Sequence, residues 1–288
     1  MTRLRPDREH ASMLGLAGSV TELSQCLTPL GLTPLVLAPF AGSFLGVLVV
    51  RLPAEQSVVF GRSACAACGS RLAWYELVPL LSYAVQRGRC RHCGAPIGRF
   101  HPMIELAAIA VVVWAALADG NAGRIWPGRI WIDCLLGWTL LTLAWIDWRS
   151  LLLPDVLTLP LLLAGLAVTW LLEPVAVPAH ALGAACGYLG LRGVAWGYRL
   201  LRGRDGMGVG DAKLLAAAGA WLGPAMLPLL VLLSAVLGIV MAGGQAIAGR
   251  RMTATSALPF GTCLAAAFWV LWLHRDWVAV HGGLPWPG

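Results

Sequence analysis

Eight apolar runs divide this chain, and a water-soluble domain has no place to put them. They cover residues 34–50, 103–118, 130–146, 156–172, 177–200, 212–223, 225–247 and 256–273. A run of about 18 or more apolar residues is long enough to cross the hydrocarbon core of a bilayer. Only 12% of the 288 residues are charged, where soluble domains carry about 25%. The pattern predicts an all-α polytopic membrane protein with about eight transmembrane helices. The sixth run is short, either a half-helix or a tightly packed one, and the fifth is interrupted by glycines and Arg192. Small residues at close spacing ("GAACGYLG", "AAAGAWLG", "GIVMAGG") suit close helix–helix contact in lipid.

The basic residues orient the runs, because cytoplasmic loops are enriched in Lys and Arg. Arg51, Arg62, Arg71, Arg87, Arg89, Arg91 and Arg99 fall in the first interval, and Arg149 in 147–155. Arg199, Arg202, Arg204 and Lys213 fall in 199–213, and Arg250 and Arg251 follow the seventh run. Loops at 173–178 and near 224 carry little positive charge; the 119–129 loop, with Arg124 and Arg129, is an exception. This alternation puts both termini outside and the four basic loops in the cytoplasm. Residues 1–33 lack the n-region, h-region and cleavage site of a signal peptide and read as a loose tail. The remaining divisions are a first helix at 34–50, a cytoplasmic tetracysteine segment at 51–102, a helical bundle at 103–275 and a C-terminal tail at 276–288.

The 51–102 segment has no long apolar run, and about 50 residues bury too little surface for a secure core without a staple. Its staple is "CAAC" (65–68), then 21 residues, then "CRHC" (90–93). Two C-x-x-C pairs at this separation match a four-thiolate zinc site of Cys65, Cys68, Cys90 and Cys93. Gly69 and Gly94 follow each pair, where a knuckle turn often needs a positive φ. Disulfides are disfavoured in the cytoplasm, and redox dithiol chemistry is the other alternative. With four cysteines no ligand position stays open, so the zinc is structural.

Charged groups within spans are costly and usually functional. Asp133 sits near the outer end of its run and reads as interfacial; Asp205 reads as solvated. Glu105, in "HPMIE", is either a first-turn acid favoured by the helix dipole or a group facing a functional cavity. In "WIDWRSLLLPD", Asp155 reads as an N-cap for the fourth run, but Asp147 ends the third and caps nothing. Asp211, in "GMGVGDAKLL", has an N-cap reading that does not explain the glycines before it. Repeated glycines let another backbone approach closely, so an extended peptide laid beside a carboxylate fits, with Gly208, Gly210, Lys213 and Asp155 near its approach. A phosphate loop fits poorly, since the Gly-Lys-Ser/Thr ending is missing. Asp147 and Asp211 both fall at cytoplasmic ends of runs. Two facing, half-buried carboxylates do not both ionise easily; one then deprotonates a water while the other polarises a scissile carbonyl.

Residues 38–270 resemble the bacterial prepilin peptidases, or type IV leader peptidases. The resemblance is carried by "GSFLGVLVVRLP", "GRSACAACGSRLAWYELVPLLSY", "GRCRHCGAPIGRFHPMIEL", "IDWRSLLLPDVLTLPLLL", "GMGVGDAKLLAAAGAWLG" and "LPFGTCLA". It implies a GxGD-type intramembrane aspartic protease with Asp147 and Asp211 as its pair, in the bacterial inner membrane with the active site facing the cytoplasm. It implies prepilin and type II secretion pseudopilin substrates, cut after a glycine, and no nucleic-acid partner. It also implies N-methylation of the new N-terminus by S-adenosylmethionine, a property of members with the tetracysteine segment. Gly98 and Glu105, in "PIGRFHPMIE", are the candidates for that region. The family often has Asn where Gly46 stands, Tyr where His101 stands, and a Pro-Phe-Gly-Pro motif where this chain has "PFGTC". None of these departures alters the aspartates or cysteines. A peptidase without methyl transfer, and a zinc-knuckle scaffold whose acids only cap helices, are the competing readings.

Overall fold

Each of the eight apolar runs forms a helix in the computed structural model, which describes residues 29–61, 63–121, 127–203, 208–248 and 258–282. The helices are α1 (Pro29–Arg51), α2 (Leu81–Val85), α3 (Phe100–Asn121), α4 (Pro127–Ser150), α5 (Asp155–Leu172), α6 (Val177–Arg202), α7 (Val209–Leu222), α8 (Leu227–Ile247), α9 (Phe260–Leu273) and α10 (Arg275–Gly282). Helix α1 begins inside the stretch read as a tail, and α10 inside the C-terminal one. Residues 1–28, Arg62, Arg124, Arg204, Asp205, Gly206, Arg250 and Arg251 lie outside the described residues.

Six helices, α1, α3, α4, α5, α6 and α8, are long and apolar enough to cross a membrane; α9 with α10 makes a seventh candidate, bent by 77°. Helix α7 does not qualify. Its 14 residues rise about 21 Å, short of a core of about 30 Å. The count of eight spans is therefore approximate, with the sixth run a short helix held inside the bundle.

What positions α7 is packing by small side chains. Every residue from Leu214 to Leu222 is buried. Helix α6 is its most extensive neighbour, and α5 and α9 also pack on it. Gly183 of α6 and Gly219 of α7 bring their backbones together so closely that a Cβ on either would overlap the other helix. A second group comprises α1, α3 and α4, and α9 packs on both α4 and α7. A Cβ on Gly42 of α1 would meet the Glu105 Cα of α3 at 2.6 Å. Indole N–H groups tie the helices laterally: Trp138 donates to Ala108 O at 3.0 Å and Trp221 to Leu161 O at 2.8 Å. Trp272 donates to Asp133 Oδ1 at 2.6 Å. Asp133 is thus fully buried between α4 and α9 and not interfacial.

Candidate active site and metal centre

Asp147 and Asp211 come from opposite ends of the sequence pattern to one place. Asp147 lies in the last turn of α4 and Asp211 in the first turn of α7; both are buried, and their carboxylates interact electrostatically. Asp147 Oδ2 accepts the Thr262 N–H at 2.6 Å and lies 3.0 Å from the Thr262 hydroxyl, which also donates to Ala144 O at 2.9 Å. Thr262 therefore fixes the orientation of the Asp147 carboxyl from the start of α9. It occupies one of the positions where this chain departs from the family's usual motif, so that departure touches the aspartate directly.

The glycines around the pair are occupied by protein. A Cβ on Gly210 would lie 2.8 Å from Leu153 Cβ, and one on Gly261 would lie 2.9 Å from both Asp147 Cγ and Leu153 Cδ1. Leu153, on the tight turn after α4, is wedged between α7 and α9 beside the pair. Gly208 is the N-cap of α7, with extended backbone. Asp211 is the third helical residue, and its carboxylate turns back to the Gly208 N–H, half of a capping box. Asp211 is thus bonded to the helix start without being its N-cap. Asp155 is likewise not an N-cap: Pro154 holds that position, without a side-chain cap bond. Asp155 pairs with Lys213 at 2.5 Å, joining the first turns of α5 and α7 at the exposed edge of the site.

The cysteine pairs fold as two matching knuckles. The Cys65 N–H donates to Ser70 O and the Gly69 N–H to Cys65 O; the Cys90 and Gly94 N–H groups repeat the pattern with Ala95 O and Cys90 O. Gly69 and Gly94 have φ of +70° and +71°, as the knuckle turns require. The four sulfurs lie within 4.8 Å of one another, and Cys65 Sγ is 3.9 Å from Cys93 Sγ. A Zn–S bond of about 2.3 Å in a tetrahedron implies a sulfur–sulfur edge of about 3.8 Å, so the residues present fit a metal ion. Backbone N–H groups lower the thiol range of Cys68 (from Ser70) and Cys90 (from Cys93 and His92). Cys93 receives the Ala95 N–H, yet the adjacent Cys68 sulfur, desolvation and the other thiols push it up to about 11. Four crowded thiols favour thiolate character only in part without a cation among them. His92 is exposed and stands outside the cluster.

Between the C-terminal turns of α1, the first turns of α3 and the knuckle segment lies a cavity of about 410 Å³. Glu105 lines it; its Oε2 accepts the Leu80 N–H at 2.8 Å and docks the segment onto α3. Gly98 is not on its wall, although Ile97 is. Gly46 and His101, two further departures from the family pattern, meet on that wall: a Cβ on Gly46 would lie 3.1 Å from His101 Nδ1. Phe100, beside His101, stacks at 5.5 Å on Trp145 and carries the Arg149 guanidinium 4.8 Å above its ring. These contacts connect the cavity to the end of α4 that holds Asp147.

The structure thus groups Asp147, Asp211, Gly208, Gly210, Asp155 and Lys213 in one region and the four cysteines in another, with Glu105 beside the second. Sequence reasoning did not single out Thr262, Gly261, Leu153 or Glu76, a buried carboxylate on the cavity wall. The "LPFG" preceding Thr262 was the only local signal for the first two.

The model of the type IV leader peptidase family matches residues 134–243, and that of the bacterial peptidase A24 N-terminal domain matches residues 36–118. A prepilin leader peptidase/N-methyltransferase of Burkholderia pseudomallei (strain 1026b) is 40% identical, over 90% of this chain and 89% of its own length. The Aeromonas hydrophila protein of the same description is 40% identical, over 82% of this chain and 87% of its own. One from Pseudomonas aeruginosa is 36% identical, over 85% and 90%. No solved structure matches the chain.

Proposed function

The chain belongs to the type IV leader peptidase family, and from that premise we propose that it is a membrane aspartic endopeptidase that also N-methylates its product. Its substrates are prepilins and type II secretion pseudopilins, cut after a glycine at the cytoplasmic face of the bacterial inner membrane. The observation that carries the peptidase reading is the convergence of Asp147 and Asp211, held by Thr262 and by the Gly208 N–H.

In this reading one carboxylate takes a proton from water, whose oxygen attacks the scissile carbonyl, while the other gives a proton to the carbonyl oxygen. The tetrahedral adduct then expels the amine as the C–N bond breaks and a proton returns to the leaving nitrogen. The titrations belong to the pair. The lateral opening lies at the starts of α5 and α7, where Asp155 and Lys213 stand exposed enough to meet the basic leader and its chain.

The basic 51–102 segment faces the cytoplasm by the positive-inside pattern. Cys65, Cys68, Cys90 and Cys93 hold one Zn²⁺ there, whose role is to fold the segment. S-adenosylmethionine is the methyl donor, and Glu105 belongs to the region that receives it.

The test is incubation of the purified protein in lipid with a prepilin and S-adenosylmethionine, followed by mass analysis of the product. A shortened chain carrying one added methyl group is expected. A shortened, unmethylated chain would leave a peptidase alone, and an uncut substrate would remove both activities.

A further inference from the structure

Glu76 is a carboxylate with half its hydrogen bonding undone. It lies in a short 3₁₀ turn, Trp74–Leu77, and is only 7% exposed. Its Oε2 accepts the Ala73 N–H at 2.8 Å. Its Oε1 is buried and has no hydrogen-bond partner. An unsatisfied buried carboxylate oxygen is costly, and the segment around it has little apolar packing to offset that cost. Glu76 also lines the 410 Å³ cavity, across from Glu105 of α3. That volume lies in the range of small-ligand pockets, about 300–1,000 Å³.

The other charged or titratable groups facing this space are committed or neutral in role. The Arg51 guanidinium donates to the backbone carbonyls of Ser57 at 3.1 Å and Gly61 at 3.2 Å. Glu105 accepts the Leu80 N–H, His101 packs against Gly46, and the Tyr83 ring fills the space beside Gly88. Glu76 Oε1 is left as the acceptor that a bound cation would satisfy.

We propose that this cavity is where methyl transfer takes place, with Glu76 accepting the proton of the new N-terminal ammonium. The proposal rests on the methyltransferase reading above. Both reactants of that chemistry are cations: the ammonium freed by cleavage and the sulfonium of S-adenosylmethionine. An ammonium has no lone pair, so a proton must leave before the nitrogen can attack. Glu76 takes that proton. The amine nitrogen then forms a bond to the methyl carbon, and the carbon–sulfur bond breaks with its electron pair going to sulfur. The products are a neutral thioether and a secondary ammonium, and Glu76 passes its proton to solvent. Glu105 is a positioning residue: it docks the loop that carries Glu76.

Glu76→Gln tests this, because Gln keeps an oxygen for the Ala73 N–H and loses the ability to take a proton. Cleavage and methylation are measured by product mass on the same full-length preparation. The expected result is cleavage within about 2-fold of native and methylation reduced by about 100-fold or more, the usual loss for a general base. The residual methylation should climb with pH toward about 8, as an α-amino group with a pKa of about 7.7–8.0 loses its own proton, and more steeply than in the native protein. Native-like methylation by Glu76→Gln overturns the assignment alone. A joint loss of cleavage and methylation, or a methylation defect that pH does not relieve, gives Glu76 a structural role and overturns it equally. Absence of methylated product from native protein overturns the methyltransferase reading, and this proposal with it.

Discussion

The α7–α9 part of the bundle and the 52–99 segment reach defined structures by opposite means. In α7, the residues from Leu214 to Leu222 are all buried, and backbone contact through Gly183 and Gly219 fixes its place. In 52–99, Glu76, Pro79 and Cys90 alone among the described residues are buried. Two short bridges, Ala64 with Arg71 and Arg89 with Pro96, mark the knuckles. The bundle can hold two carboxylates in place because surrounding helices leave them nowhere else to go. The segment has no such core, so its shape depends on thiol ligation and on one docking bond, Leu80 N–H to Glu105. Packing should therefore control cleavage, and metal should control the segment and its chemistry.

The sharpest way to break the comparison is at the carboxylates. Asp147→Asn or Asp211→Asn should each reduce cleavage by at least about 10²–10⁴-fold. Zinc content and methylation of a pre-cut substrate should persist. The double variant should be little worse than either single one, since residues acting as a unit are not additive. Native-like cleavage by a folded single variant would return Asp211 to its helix-start bond alone. The native pH–rate profile should show two limbs belonging to the pair.

Removing the metal should do the reverse. Cys68→Ser, or prolonged chelation, should expose 52–99 to limited proteolysis and lower methylation by about 10-fold or more, because structural zinc contributes folding energy directly. Cleavage should fall by less than methylation does. Metal analysis of fresh native protein should give one zinc per chain; active protein without zinc would refute the assignment.

A smaller effect separates packing from chemistry inside the bundle. Gly261→Ala places a methyl group 2.9 Å from Asp147 Cγ, so the carboxyl or α9 must shift. A misplacement approaching 1 Å can cost about 100-fold in rate; cleavage should fall by about 10- to 100-fold, while zinc content and methylation of pre-cut substrate stay unchanged. Unaltered cleavage would mean that the pair tolerates displacement.

Local pattern and spatial packing explain what was readable. The eight runs, the knuckle glycines and the C-x-x-C pairs are signals written within a few residues, and each reappears in the structure. Asp147 stood out because it caps nothing, and Asp211 because glycines precede it. Thr262 lies 115 residues from Asp147, and no short-range pattern joins them. Asp133 looked interfacial from its place in the run, but its burial is decided by Trp272, 139 residues away. Glu76 was invisible for the same reason, since its oxygen is orphaned only once the segment folds onto α1 and α3. The length of α7 was legible, but its place inside the bundle depends on glycines in another helix.

The Asp155–Lys213 pair is where the comparison predicts least. It bridges α5 and α7 at the site's edge, yet the side chains are 54% and 27% exposed. An exposed ion pair is worth about 0.2–1 kcal/mol, screened further by salt. Asp155 caps nothing, so its replacement by Asn loses the charge pair and little else. Asp155→Asn and Lys213→Gln should each change cleavage by no more than about 5-fold, with the difference shrinking at high salt. The two variants should separate on substrate charge: a basic leader favours a free Asp155, so Lys213→Gln should lower KM for such a substrate while Asp155→Asn raises it. Equal effects of both variants on KM and kcat would reduce the pair to a clasp between α5 and α7. A loss of 100-fold or more from either would move that residue from the rim of the site into its chemistry.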